Sequence, residues 1–271
     1  KIGDAMSVER MFHLNRQSFS LRSIGSFFKE HWAGLAIIAT FVISHLLSIP
    51  LQLMMFKYFI ARYEQLDAFA YTISYTMITI NILAAVIIAI IISRKQNFWQ
   101  VFQEPRMHPI ASIGLGFVGF ILAMIGQAVA AVIETKLFGI EPGSANTETL
   151  SVISQISPIM IISIVIFAPL LEEIVFRRAI FGGLYKMTHN FWLGDVVSGL
   201  LFAVVHWELE HFLMYLMPAF AFACVYYISR SIIAPIAAHF FMNSFVTIIQ
   251  LNYDKLEKYV EQTQNFIHWL H

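Results

Sequence analysis

The stretch Thr149–Arg178 reads TLSVISQISPIMIISIVIFAPLLEEIVFRR, and its shape decides the fold class. From Thr149 to Leu171 no residue is charged. Then come Glu172 and Glu173, and one turn later Arg177 and Arg178. A helix crossing the hydrocarbon layer needs roughly 20 mostly apolar residues, so this run is long enough to span. Working outward, the chain holds further charge-free runs at Trp32–Phe56, Ala68–Ser93, Met107–Ile133, His211–Ser229 and Ser231–Tyr253. A seventh candidate, Phe191–Trp207, is interrupted only by Asp195. Lipid cannot satisfy exposed backbone groups, so spanning segments must be helices or a closed barrel. Long runs without strict alternation exclude the barrel.

The composition agrees. Of 271 residues, 58% are hydrophobic and 13% charged, with a mean hydropathy of +0.70. Soluble domains carry about a quarter charged residues, so this chain lacks the polar surface to sit in water. The expected fold is all-α, a polytopic transmembrane bundle of seven to eight spans enclosing a catalytic cavity. It has one membrane domain over residues 32–253, a basic and interfacial segment over 1–31, and a tail over 254–271. Lys1–Ala5 precede Met6, the expected natural start, and are left out of the fold argument. Neither a repeat nor a cleavable signal is visible. Formal net charge is zero, which gives no reason to expect nucleic acid. Cys224 is the only cysteine, which rules out an internal disulfide and a thiolate metal cluster; it reads as a packing residue.

Lys and Arg collect before the first span (Arg10, Arg16, Arg22, Lys29), between the second and third (Arg94, Lys95, Arg106), and after the acidic pair (Arg177, Arg178, Lys186). The segment Glu134–Glu148 is acidic by contrast. This alternation implies a cell-membrane protein with its N-terminus in the cytoplasm.

In so apolar a chain, polar residues where water is scarce are the informative ones. A charge at mid-span costs about 2.5–3.5 kcal/mol on insertion scales and defaults to a functional hypothesis. Glu173 and Arg177 stand at i and i+4, share a helix face and are placed to form an ion pair. Glu172 points elsewhere and is free for another role. Phe202 and His206 lie in the apolar stretch Ser198–Trp207, and His239 and Asn243 project from one face of the last run. Taken singly, a histidine on an apolar helix is more often a hydrogen-bonded core residue than a catalyst; His45 and His108 are read that way. If the helix of Glu172 turns near His189, then Glu172 and His206 are equidistant from the turn and meet at similar height. His239, counted from a turn near Arg230, lies roughly a dozen Å shallower at 1.5 Å per residue. A tilted helix or a partly re-entrant Trp207–His211 loop would close that gap.

In this order, Glu-Glu-x-x-x-Arg (Glu172, Glu173, Arg177), Phe-x-x-x-His (Phe202, His206) and His-x-x-x-Asn (His239, Asn243) resemble the CAAX prenyl protease and bacteriocin-processing family of intramembrane proteases, the Abi family. The resemblance covers about Ser154–Ile249. It implies peptide-bond hydrolysis in a water-filled cavity, with Glu172, Glu173, His206, His239 and Asn243 as catalytic residues and Arg177 as a structural ion-pair partner. In that scheme Glu172 activates water, His206 holds it or passes a proton, and His239 and Asn243 stabilise the oxyanion. The physics is compatible: a carboxylate kept in a low-dielectric cavity becomes a better general base near neutral pH. Donors aimed at a developing oxyanion are worth about 2.7–4 kcal/mol each.

The family has been described both with and without a metal. Glu172, His206 and His239 would supply the shell of a zinc site. No His-Glu-x-x-His is present, however, and His206 and His211 diverge on a helix, so the expected chemistry requires no cofactor. Expected partners are the bilayer and a peptide or protein substrate in the membrane, either a prenylated C-terminus or a leader peptide; a bacterial member fits the short chain. Two other readings compete. One is an immunity or peptide-binding factor, which a catalytically dead but protective variant would favour. The other is a proton-coupled transporter, against which stands the absence of paired inverted halves.

Overall fold

The structure is a computed structural model describing residues 21–141, 143–253, 255 and 257. The chain divides into two units, Lys1–Trp32 and Ala33–His271. In the first, the backbone from Leu21 is helical. The interfacial character expected over 1–31 lies largely outside the described residues. So does the tail 254–271, apart from helical backbone at Lys255 and Glu257.

Among the described residues eight helices follow in order: α1 (Leu21–Ile60), α2 (Gln65–Arg94), α3 (Pro109–Phe138), α4 (Ala145–Ile156), α5 (Ile159–Thr188), α6 (Phe191–Val204), α7 (Phe212–Ser229) and α8 (Ile233–Leu251). A 3₁₀ turn, Leu209–His211, leads into α7, and among the described residues there is no strand. Among the described residues six helices are long and apolar enough to cross a membrane, and the chain is a multi-pass membrane protein. The seventh candidate forms α6, whose 14 residues reach about 21 Å at 1.5 Å per residue, short of a hydrocarbon layer about 30 Å thick.

Local chemistry sets the ends of these helices. Pro109 opens α3, where its missing N–H costs nothing, and Gly139 at φ 68° closes it in the left-handed conformation. The Ser144 hydroxyl accepts the Thr147 N–H at 3.1 Å and caps α4. The helix pair α5–α6 turns at His189 (φ 52°), and Asn190 caps α6 by accepting the Leu193 N–H. The pair α7–α8 turns at Arg230 (φ 56°). Both reversals fall where the sequence placed them.

Small residues allow close packing, as in lipid they must, because helix association there depends on van der Waals fit rather than on escape from water. At Gly116 of α3 an added Cβ would sit 2.6 Å from the Ala234 carbonyl oxygen and 2.7 Å from Ala237 Cβ, so α3 meets α8 backbone to backbone. Phe120, Ala123, Phe222, Val225, Ala238 and Met242 fill the layer shared by α3, α7 and α8. A second cluster, with Ile37, Ile88, Leu171, Val175, Phe176 and Phe202, packs beneath the acidic pair. The outer faces are apolar and open: Ile110 is 75% exposed, Leu137 74% and Leu53 64%. Exposure on that scale suits a lipid surround.

Candidate active site

The acidic pair lies on an irregular part of α5. Ala168–Glu173 is α-helical, but Ser163–Phe167 before it and Ile174–Phe181 after it are π-helical. Such segments are rare and cluster at functional sites. Pro169 explains what the first one exposes. In π register the Ala168 N–H bonds to the Ser163 carbonyl, so the next residue would bond to Ile164. Proline has no N–H to give. The Ile164 carbonyl is instead taken by the Asn243 side chain, whose Nδ2 donates at 2.9 Å. That bond fixes the amide orientation of Asn243 and leaves its second N–H and its oxygen unspent.

Glu173 and Arg177 are both 0% exposed. Glu173 Oε2 lies 3.0 Å from Arg177 Nε, a close ion pair whose angle falls short of a hydrogen bond. Arg177 also donates to the Ala219 carbonyl at 3.1 Å and lies over the rings of Phe202 and Phe222, at 4.6 and 5.3 Å. The other Glu173 oxygen accepts from His239 Nδ1 at 2.9 Å, so Nδ1 carries the proton and Nε2 is turned away from the ion pair. Phe222 stacks on the His239 ring at 5.0 Å and 23°. His239 is therefore held by a carboxylate on one nitrogen and an aromatic face on its plane.

His206 lies beyond the last residue of α6, in the turn. Its Nδ1 donates to the Phe202 carbonyl at 2.7 Å, which leaves Nε2 free. Phe202 stands between the two histidines, with ring centroids 4.7 Å from His206 and 5.9 Å from His239. The expected difference in height is thus closed. The chain reverses directly after His206 through Trp207 (φ 59°, 86% exposed), and the π segments of α5 place more residues in each turn and shorten that helix.

Glu172, His206, His239 and Asn243 line one cavity of about 380 Å³, together with His45, Ser163, Tyr215 and residues of α4. Glu172 makes no direct hydrogen bond to either histidine, and its Oε2 is buried without a partner among the described residues. Glu173 is placed apart from it, in the ion pair. Among the described residues no three His, Cys, Asp or Glu side chains converge closely enough to hold a metal ion. His211 points elsewhere, with Nδ1 3.1 Å from Glu134 Oε2. Glu134 also accepts the N–H groups of Leu213 and Met214 and so caps α7 from α3.

Sequence reasoning missed Tyr215, Glu208, Glu134 and the role of Pro169. Only Pro169 carried a local signal, a proline inside an apolar helix. Glu134 and Glu208 act through partners 60 or more residues away, apart from the Glu208–Tyr215 bond, and Tyr215 meets His206 only because the chain reverses between them.

Residues 154–245 match the family described as Type II CAAX prenyl endopeptidase Rce1-like. The chain is 36% identical over 237 residues to YdiL of Bacillus subtilis strain 168, whose name marks it as a candidate membrane peptidase; the match covers 86% of this chain and 93% of that protein. It is 31% identical over 243 residues to the membrane-embedded CAAX protease MroQ of Staphylococcus aureus strain USA300, covering 88% and 96%. No solved structure matches significantly. The chain belongs to the Rce1-like CAAX family of membrane proteases.

Proposed function

We propose that this protein hydrolyses a peptide bond of a membrane-associated peptide, with Glu172 as general base and without an obligatory metal. One observation carries the reading: a buried Glu172 oxygen with no partner among the described residues shares a cavity with two oriented imidazoles and a fixed amide. Glu172 takes a proton from water, and the water oxygen adds to the scissile carbonyl carbon. The carbonyl becomes an oxyanion facing Asn243 and His239. Collapse breaks the C–N bond, and the proton held by Glu172 passes to the leaving nitrogen. His206, neutral with its proton on Nδ1, offers Nε2 as an acceptor that holds the attacking water. To donate to the oxyanion His239 must carry protons on both nitrogens, and the Glu173 carboxylate is the partner that charge requires. Glu173 itself acts by orienting His239. The basic connector Arg94–Arg106, between α2 and α3, supports a cytoplasmic N-terminus. Of the two substrate classes that the family resemblance implies, leader peptides and prenylated C-termini, the bacterial relatives favour the former.

The test is peptidomics of cells carrying wild-type protein or Glu172→Gln. Peptides are expected that appear only with wild type, and identical profiles overturn the proposal. Chelation of the purified protein is expected to leave turnover intact; stoichiometric zinc whose removal stops it overturns the metal-free chemistry. Pro169→Ala, which restores a backbone donor to compete for Ile164, is expected to slow cleavage about tenfold by loosening Asn243 while leaving the melting temperature unchanged or raised.

A further inference from the structure

We propose that Tyr215 is a positioning residue for His206, and that Glu208 fastens it to the start of α4, which thereby becomes a cover whose seating the imidazole senses. This rests on His206 taking part in the reaction. His206 needs such support because it is carried by a turn, not by a helix. One hydrogen bond, to Phe202, fixes Nδ1. The ring meets Phe202 at a tilt of 47°, and Tyr215 stacks on it at 4.2 Å and 25°. Without that stack the ring is free to swing about its single anchor.

The Tyr215 ring is in turn held at its far end. Its hydroxyl donates to Glu208 Oε2 at 2.6 Å. The same oxygen accepts from Ser144 Oγ at 2.7 Å, and Glu208 Oε1 accepts from the Asn146 N–H at 2.7 Å. Burial alone would raise the Glu208 pKa, but the hydrogen bonds from Tyr215, Asn146 and Ser144 outweigh it and hold the carboxyl below its ordinary value. Glu208 is therefore a charged acceptor for three donors, two of them at the N-terminus of α4. Asn146, Thr147, Leu150, Ser151 and Ser154 of that helix line the cavity. Lifting α4 to admit a peptide takes two donors from Glu208, loosens the Tyr215 hydroxyl and releases the His206 ring. Reseating α4 over the bound peptide restores all three. The latch thus couples closure of the cavity to alignment of the imidazole.

The test uses the full chain in lipid nanodiscs and the histidine reagent diethylpyrocarbonate, with modification at His206 followed by mass spectrometry and the exposed His108 and His189 as references. Tyr215→Ala is expected to speed modification of His206 about fivefold or more with the references unchanged. It should also lower kcat about ten- to a hundredfold on a peptide returned by the peptidomic comparison, the cost of misplacing a catalytic group, with KM little changed. Tyr215→Phe, which keeps the stack and loses the Glu208 bond, should fall between wild type and Tyr215→Ala; Glu208→Ala should match Tyr215→Phe. Wild-type labelling in Tyr215→Ala, or slowed turnover without faster labelling, overturns the inference. If Tyr215→Ala does not fold, wild-type labelling in both Tyr215→Phe and Glu208→Ala overturns it. Full activity in His206→Ala instead removes the reading beneath it.

Discussion

Arg177→Met is expected to lose about 3–5 kcal/mol of stability, the range found when one member of a buried pair is removed and its partner is left charged. Glu173 has nowhere to turn: it is fully buried, and its other partner among the described residues is His239. The unpaired carboxylate would take up a proton or draw in water, and either change displaces His239. A melting curve of the detergent-purified variant measures the loss. The double variant Glu173→Gln, Arg177→Met should regain much of the stability, because it removes both charges together and keeps an acceptor for His239. Its activity should stay low, since the neutral amide cannot balance a charged imidazole. An Arg177→Met protein that melts with the wild type would show that the pair carries little of the fold.

Glu172→Gln should behave in the opposite way. Cleavage is expected to fall about 10²–10⁴-fold, the usual contribution of a positioned general base. Stability should hold or rise slightly, because Glu172 Oε2 has no hydrogen bond among the described residues to lose and the substitution removes a half-buried charge. The adjacent glutamates are thus separable by experiment, position 173 through the fold and position 172 through the rate. Equal rates for Glu172→Gln and wild type, on protein shown to be folded, would remove Glu172 from the chemistry.

That contrast shows how much was legible beforehand. Membrane character followed from the charge-free runs, because a span is a local property of about 20 residues. The Glu173–Arg177 pair followed from i,i+4 spacing, also local. His206 and His239 could be nominated through three ordered motifs, but their meeting around Phe202 is a matter of helix tilt and ending, which adjacent residues do not encode. The division of labour between Glu172 and Glu173 was only half visible: helical spacing separated their directions, whereas the hydrogen bond from His239 to Glu173 depends on how α8 packs against α5. The Glu208 latch joins α4, the turn after α6 and α7, so no window of sequence contains it.

The π-helical segments of α5 have one more consequence, for register. Each residue of an α-helix turns the chain by about 100°. A π turn holds one more residue over nearly the same rotation and rise, so Ser163–Phe167 takes up an extra residue without turning Glu172 away from the cavity. Removing a single residue there would relax the segment to α-helix with both flanks still in register. A residue removed from the regular stretch between it and Glu172 would instead rotate Glu172 out of the cavity, while hydropathy and span length would hardly change. The wide turn is thus the place where α5 can change length by one residue without turning its cavity face.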